Sequence, residues 1–427
     1  MASQNLNVAE KIFSVFSFIF LTGILRWTSL FVAPDPMLSS ISTYNPFDPV
    51  SALIQYVIYA ITLFFLVARP KGSLYTISQS SLIWIISGLA IASFLWSDFS
   101  DLSLRRGIAT LQTASFGLYI ASRFSVKQQL QILAWAIGIV AILSVVFTVV
   151  FPGAAIEAGA NAGAWRGPFT QKNILARLMV LGTLIFLLLS LERSKNKYIF
   201  WVGESLCFLL LLLSDSKTGL VLFFAMITLI PLYNAFKWKG NVLIPFLILL
   251  VLASSSLSIL LITNWENLLT SLGRDPTLSG RSGLWELAIQ KITERPWLGY
   301  GYQGFWQSGG GAEIIWRTEG YRPPHAHNGF INIALDLGLI GLALFVLSLI
   351  NNYFRAINWL RSGSGILRLW PILYITFFFL YNHSENTILE QNSIFWTLFV
   401  SVSLSCCLSR KAAIERSFMM SLGLSDS

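Results

Sequence analysis

The chain has 427 residues, of which 55% are hydrophobic and only 11% charged, with a mean hydropathy of +0.67. A soluble protein carries about 25% charged residues, so the composition excludes a water-soluble domain and points to an all-α polytopic membrane protein. The net charge of +9 does not indicate nucleic acid. The cationic residues stand in short loops between apolar runs, the pattern that orients a chain in a bilayer, and no nucleic-acid partner is expected.

The apolar runs, in chain order, are 12–32, 51–68, 81–97, 107–122, 129–151, 173–191, 198–213, 218–235, 241–263, 328–350, 368–382 and 392–409. Each approaches the roughly 20 residues that span a bilayer, which gives about twelve transmembrane helices. The alternation expected of a membrane barrel is absent. The fourth run holds Gln112, Thr113 and Ser115 and is expected to face protein. The first run lacks a small-residue cleavage site and is expected to stay as a helix. Cys207, Cys406 and Cys407 have neither metal nor disulfide spacing and read as packing residues. No internal repeat or low-complexity segment is visible, and the tail SLGLSDS reads as frayed.

The basic loops alternate. Arg69 and Lys71, Arg123 and Lys127, Arg193, Lys195 and Lys197, Lys237 and Lys239, Arg355 and Arg361, and Arg410, Lys411 and Arg416 all fall on one side. The positive-inside rule makes that side cytoplasmic, with both termini inside. Even-numbered helices then begin at the outer face, presenting free N–H groups and the positive end of the helix dipole there. The chain divides into 1–263 with helices one to nine, an outer segment 264–327, and 328–427 with the last three helices and a cytoplasmic tail.

The outer segment is too long for a simple connector, and such loops are usually functional. Ser279 is its candidate helix cap, Leu284, Ala288 and Ile292 form one helical face, and Pro296 marks the helix end. Arg281 sits in that helix's first turn, where a cation is unfavourable unless it shares an anion. Tyr300, Tyr302, Phe305, Trp306 and Trp316 follow among glycines. They read as interfacial anchors or as stacking surfaces for sugar rings.

Polar and charged residues recur at the outer ends of several runs. In GAWRGPFTQKNILARL, Arg166 and Lys172 stand just outside the sixth run. Arg177 lies inside it, where an arginine costs about 2.5–3.5 kcal/mol and asks for a carboxylate or a polyanionic ligand. In SDSKTG, Ser214 or Ser216 caps the eighth run and Lys217 lies in its first turn. WSDFSDLSLRRG places Arg105 and Arg106 before the fourth run, and YNHSENTILEQN places His383, Glu385 and Glu390 before the twelfth. Those carboxylates serve either to neutralise arginines or as acid or base. Two of the chain's 3 histidines, His325 and His327, stand in RPPHAHNGF at the start of the tenth run. The dipole there disfavours imidazolium, so a neutral His327 suits a general base. Asn328, Asn332 and Asp336 follow at i, i+4 and i+8 as a polar stripe facing the bundle interior. Cations from several segments beside a neutral base suit a lipid-linked diphosphate attacked by a hydroxyl.

These residues resemble the O-antigen ligase and polymerase superfamily of bacterial inner-membrane glycosyltransferases. The ligases' pattern H-[NSQ]-x9-G-x-x-[GTY] is met by His327, Asn328, Gly338 and Gly341. GAWRGPFTQKN and SGRSGLW resemble the superfamily's arginine motifs. With WSDFSDLSLRRG the combination is most similar to exopolysaccharide polymerases of the succinoglycan type, over roughly residues 90 to 400. The resemblance implies a C-type helical fold in the inner membrane and an inverting, metal-independent transfer at the periplasmic face, with no cofactor. The donor would be a glycan on undecaprenyl diphosphate and the acceptor a glycan hydroxyl, and a chain-length regulator is a partner that the family often has. Carried over by motif, Arg166 and Arg281 hold the diphosphate and His327 activates or positions the acceptor. Glu385 resembles an acidic position of the late outer loop. Lys172, Arg177, Lys217, Asn328, Arg105, Arg106 and His325 are supporting binding residues. Ligation to a lipid A core or protein acceptor is the alternative within the class. Transport of the lipid-linked glycan is the alternative from another class; it would need a cationic path through the whole span.

Overall fold

Lipid offers backbone polar groups no partner, so a spanning segment must satisfy them within itself. The computed structural model describes residues 2–25, 48–192, 197–237, 242 and 281–421, and these fold almost wholly into helices. Among them the only strand-like pairing is one isolated bridge, between Ile156 and Trp165. In chain order the helices are α1 Ala2–Leu21, α2 Asp48–Val67, α3 Pro70–Ser78, α4 Ser81–Ala92, α5 Ser100–Arg123, α6 Val126–Val150, α7 Pro152–Ala155, α8 Lys172–Leu191, α9 Lys197–Leu213, α10 Lys217–Ala235, α11 Arg281–Glu294, α12 Glu313–Glu319, α13 Gly329–Arg361, α14 Trp370–Tyr381 and α15 Ile394–Ser421.

The ninth run, 241–263, lies outside the described residues except for position 242, and the first, 12–32, is helical to Leu21 and outside them beyond residue 25; every other expected run falls on a helix. They are not all full spans. Among the described residues five helices (α2, α6, α8, α10 and α13) are long and apolar enough to cross a bilayer, or six if α3 and the helix that starts with α4, bent by 89°, count as one broken span. Helix α5 carries Asp101, Arg105, Arg106 and Arg123, which lowers its hydropathy, while α9 has only 17 residues. The first helix begins earlier than its apolar run and takes in Glu10, which is fully buried against Arg69 and Arg123. Helix α3 was not expected. The most interior span is α8, 78% buried within the bundle against 22% for α2. It packs on α6, α9 and α10, and α15 packs on α5, α13 and α14.

The two ends of the bundle differ in their ion pairs. One end gathers Glu10 with Arg69 at 2.8 Å and with Arg123, Lys127 with Glu192 at 3.3 Å, and Lys237 on the Gly365 carbonyl at 3.4 Å. This is the end the basic loops define. The other end holds Arg295 on Asp98 at 3.1 Å, Lys172 on Asp215 at 3.6 Å and the histidine pair.

Helix α13 is broken at Gly338, whose φ of 66° and ψ of −170° leave the helical region. Tyr300 N–H donates to the Leu335 carbonyl at 2.8 Å, Leu339 N–H to Pro296 at 2.7 Å and Ile340 N–H to Trp297 at 3.3 Å. The segment after α11 is thus stitched into the break. A Cβ on Gly338 would lie 2.1 Å from the Trp297 oxygen, and one on Gly299 (φ 68°) would lie 2.4 Å from the Leu335 oxygen. Glycine is needed at both places for conformation and for space. Gly338→Ala should therefore destabilise the protein by at least about 2 kcal/mol, read as a fall in the melting temperature of the detergent-solubilised protein. Gly88→Ala, where a Cβ meets nothing within 4 Å, should leave it unchanged.

Candidate active site

At the end of the bundle opposite the basic loops lies a cavity of about 260 Å³. Its wall comes from six separated segments. Helix α5 gives Arg106. The start of α8 gives Gln171, Asn173, Ile174 and Arg177. The segment after α11 gives Gln303, Trp306 and Gln307, and the approach to α13 gives Pro324 and His325. Asn332 comes from α13 itself, and Tyr381, Glu385, Asn386 and Glu390 come from the α14 end and the turn that follows. A narrower crevice at the N-terminus of α10 shares Asn173, Arg177, Tyr381 and Glu385 with it.

Of the residues singled out in the sequence, the structure brings Arg106, Arg177, Trp306, His325, Asn332, Glu385 and Glu390 together on this wall. Arg177 Nη1 donates to the Tyr381 hydroxyl at 3.2 Å, and its guanidinium lies over the rings of Phe395 at 4.9 Å and Tyr381 at 5.6 Å. Its Nε is buried with no hydrogen-bond partner. Aromatic faces and a phenol thus stabilise a cation near the end of a spanning helix while one donor stays uncommitted. Arg106 Nη1 reaches the Gln303 carbonyl at 3.5 Å.

The histidines are held in unequal roles. His327 N–H donates to His325 Nδ1 at 3.1 Å. An imidazolium has no lone pair to accept that bond, so it selects neutral His325 with its proton on Nε2. His325 then meets a ligand as a donor. His327 has a left-handed φ of 49°, and its Nδ1 lies 3.5 Å from Glu385 Oε2, at the outer limit of hydrogen-bond reach. His327 itself is not on the cavity wall. Burial raises the Glu385 pKa, but the facing His327 and the charge of Arg177 outweigh it and hold the carboxyl below its ordinary value of 4.5. His325, His327 and Glu385 also form the one group among the described residues that could hold a metal ion, with ligand atoms within 4.8 Å of one another. The Nε2–H tautomer of His325 argues against ligation, since both of its nitrogens are then engaged or protonated.

The other candidates lie off the wall. Arg166 spends Nε on the Ala154 carbonyl at 3.1 Å and Nη1 on that of Thr170 at 3.3 Å. It therefore fixes the loop that leads to Gln171. Lys172 Nζ bonds the Asp215 carbonyl at 3.1 Å, and Arg105 and Lys217 are exposed. Asn328 caps α13, accepting from the N–H groups of Phe330 at 2.9 Å and Ile331 at 3.2 Å. Arg281 begins α11, but its side chain lies outside the described residues, as does the expected cap Ser279. The aromatic segment is no open stacking surface. Tyr300, Phe305, Trp306 and Trp316 pack with Leu284 and Ala288 into a small apolar core, while Tyr302 joins the main core. Of these aromatics Trp306 alone reaches the cavity, its Nε1 donating to Asn332 Oδ1 at 2.8 Å. The sequence reading missed the amides Gln171, Gln303, Gln307 and Asn386. Their only signal was their position beside motif residues.

Backbone strain gathers in the same place. Among the described residues five non-glycine positions have φ between 45° and 58°: Asp215, Gln303, His327, Leu389 and Asn392. Gln303 is on the wall, and His327, Leu389 and Asn392 stand within two residues of wall positions. Each such conformation costs about 1–3 kcal/mol and is held only where its surroundings demand it, as at functional sites.

Fold and site together define a polytopic helical membrane protein with a closed-in polar chamber at one end, lined by guanidinium, carboxylate, imidazole and amide groups. The O-antigen ligase family model matches residues 202–346, which include α11, the histidine pair and the break in α13. The chain is 25% identical over 299 residues to the exopolysaccharide production protein ExoQ of Rhizobium meliloti, a match covering 67% of each chain. A protein of Rickettsia prowazekii named as a candidate polysaccharide ligase is 37% identical over 91 residues, covering 20% of this chain and 22% of its own. A similarly named protein of Rickettsia felis is 34% identical over 97 residues, 22% of this chain and 24% of its own. The Rickettsia matches thus span about a quarter or less of those proteins.

The lowered Glu385 pKa sets a sign. The stabilisation that ionised Glu385 supplies should be complete above its ordinary value of 4.5 and should fade as the pH falls through the lower native value. The melting temperature of wild type minus that of Glu385→Gln should therefore be positive and flat at neutral pH, then shrink toward zero on acidification.

Proposed function

We propose that this chain is a membrane glycosyltransferase that moves a glycan from a lipid-linked diphosphate to a hydroxyl acceptor, assembling repeat units into polysaccharide at the outer face of the bacterial inner membrane. The cavity is the observation that supports this reading most. It combines uncommitted guanidinium donors with amides, a tryptophan and carboxylates, at the bundle end where α8 and α13 present their N-termini. Diphosphate oxygens call for the cations and helix N-termini. Sugar hydroxyls call for amides, which both donate to and accept from them, and for carboxylates, which accept.

In this reading the acceptor oxygen attacks the anomeric carbon while the bond to the phosphate oxygen breaks. Charge grows on the departing diphosphate. Arg177 and Arg106 stabilise that charge, with Arg166, Arg281, Lys172 and Lys217 serving the approach of the lipid headgroup. Neutral His325 donates from Nε2 to a substrate oxygen, and His327 with Glu385 holds it in that tautomer and orientation. The long match to an exopolysaccharide production protein favours polymerisation. The O-antigen ligase match supports, as the second reading, transfer to a separate lipid A core or protein acceptor.

Purified protein in nanodiscs, given an undecaprenyl-diphosphate-linked oligosaccharide without nucleotide sugar, should yield a ladder of longer lipid-linked glycans, unaffected by a chelator. Arg177→Ala should lower the rate about 10²–10³-fold, the scale of removing one donor to developing negative charge. A donor that stays at unit length until a core acceptor is added would establish ligation instead. No covalent change under either condition, with donor crossing between leaflets, would replace the enzyme by a transporter.

A further inference from the structure

We propose that Glu390 is a catalytic residue of this cavity, the group that binds the acceptor hydroxyl and receives its proton. The proposal rests on the transfer reading above and names the base it requires. Buried polar atoms in native proteins are nearly always hydrogen-bonded, so exceptions that line a cavity are candidates for contact with a ligand. Two complementary exceptions lie on the wall of one cavity. Arg177 Nε is a buried donor without a partner, and Glu390 Oε2 is a buried acceptor without a partner. A substrate that presents an anionic oxygen to the first and a hydroxyl to the second would satisfy both.

The other candidate bases either face another side chain or stand off the wall. The Nδ1 lone pair of His325 accepts the His327 N–H at 3.1 Å, which puts its proton on Nε2 and makes it a donor. His327 Nδ1, also buried without a hydrogen-bond partner, faces Glu385 Oε2 at 3.5 Å but does not line the cavity, and Glu385 faces that imidazole. Glu390 lines the cavity and follows Leu389, whose left-handed φ of 58° fixes the turn that aims it. The Leu389 carbonyl is gripped by the hydroxyls of Tyr302 at 2.6 Å and Thr110 at 3.0 Å, so the turn is tied to α5 and to the segment after α11.

The step balances. The acceptor O–H bond breaks as its oxygen bonds the anomeric carbon, and the proton passes to Glu390. The bond from the anomeric carbon to the phosphate oxygen breaks, and its electron pair leaves with the lipid diphosphate. A carboxylate becomes a carboxylic acid, and no further reactant is consumed.

The test uses the full-length protein in nanodiscs with the lipid-linked oligosaccharide donor. If wild type transfers nothing, the transfer reading falls and the role of Glu390 falls with it. With wild type active, Glu390→Gln should lower kcat about 10²–10⁴-fold while KM for the donor stays within about threefold, and it should remove the acid limb of the pH–rate profile. Glu390→Asp should recover part of the rate and the acid limb. Glu390→Gln that transfers within about threefold of wild type, or that loses donor affinity in step with rate, overturns the proposal. Should Glu390→Gln fail to fold, Glu390→Asp decides. A reduced rate with a displaced acid limb supports the role, and an unchanged rate and profile contradict it.

Discussion

A spanning helix that breaks must find new partners for the backbone groups it releases, because lipid supplies none. At Gly338 that demand is met by the segment from Pro296 to Tyr300, which takes up the Leu335 carbonyl and the N–H groups of Leu339 and Ile340. The site depends on this exchange. It anchors the segment that carries Gln303, Trp306 and Gln307 to the same helix that follows the histidine pair and whose first turn carries Asn332. Asn332 then ties the two together, accepting from Trp306 at 2.8 Å and from the Ala326 N–H at 3.4 Å, and donating to Asp336 at 3.2 Å. The polar stripe expected on this helix is therefore the frame that holds the wall of the cavity.

The chamber is less cationic than its flanking motifs suggest. On its wall two guanidinium groups face two carboxylates. The surplus positive charge of Lys172, Lys217, Arg105 and Arg166 lies outside it, on exposed or loop-binding side chains. A site of this kind separates tasks. In the proposed reaction the cations outside the chamber would draw a diphosphate headgroup from the membrane surface, while the balanced interior would let individual donors and acceptors act without an excess field of either sign.

Much of the helical framework was legible in the sequence, because each spanning segment must be long, apolar and satisfied by its own backbone. The runs at 129–151, 173–191 and 218–235 match α6, α8 and α10 nearly to the residue. Gly338 and Gly341 were legible as motif letters, and the structure supplies the reason for the first. The apportioning of roles was not legible. Nothing in RPPHAHNG tells that His325 meets the cavity while His327 stands behind it, because that depends on a left-handed backbone at His327. The aromatic run after α11 read as surface because it is rich in glycine, yet those glycines let it fold back and bury its rings. Glu390 was one acid among several, since only the folded turn shows which carboxylate oxygen lacks a partner.

The central claim is that the cavity holds the diphosphate of a polyprenyl-linked donor. Native mass spectrometry of the detergent-released protein with undecaprenyl diphosphate, undecaprenyl monophosphate and undecaprenol would test it most directly. The account predicts preferential retention of the diphosphate by wild type and loss of that preference in Arg177→Met, with cardiolipin binding unchanged. Equal retention of all three lipids, or a preference that survives Arg177→Met and Arg106→Met together, would contradict it.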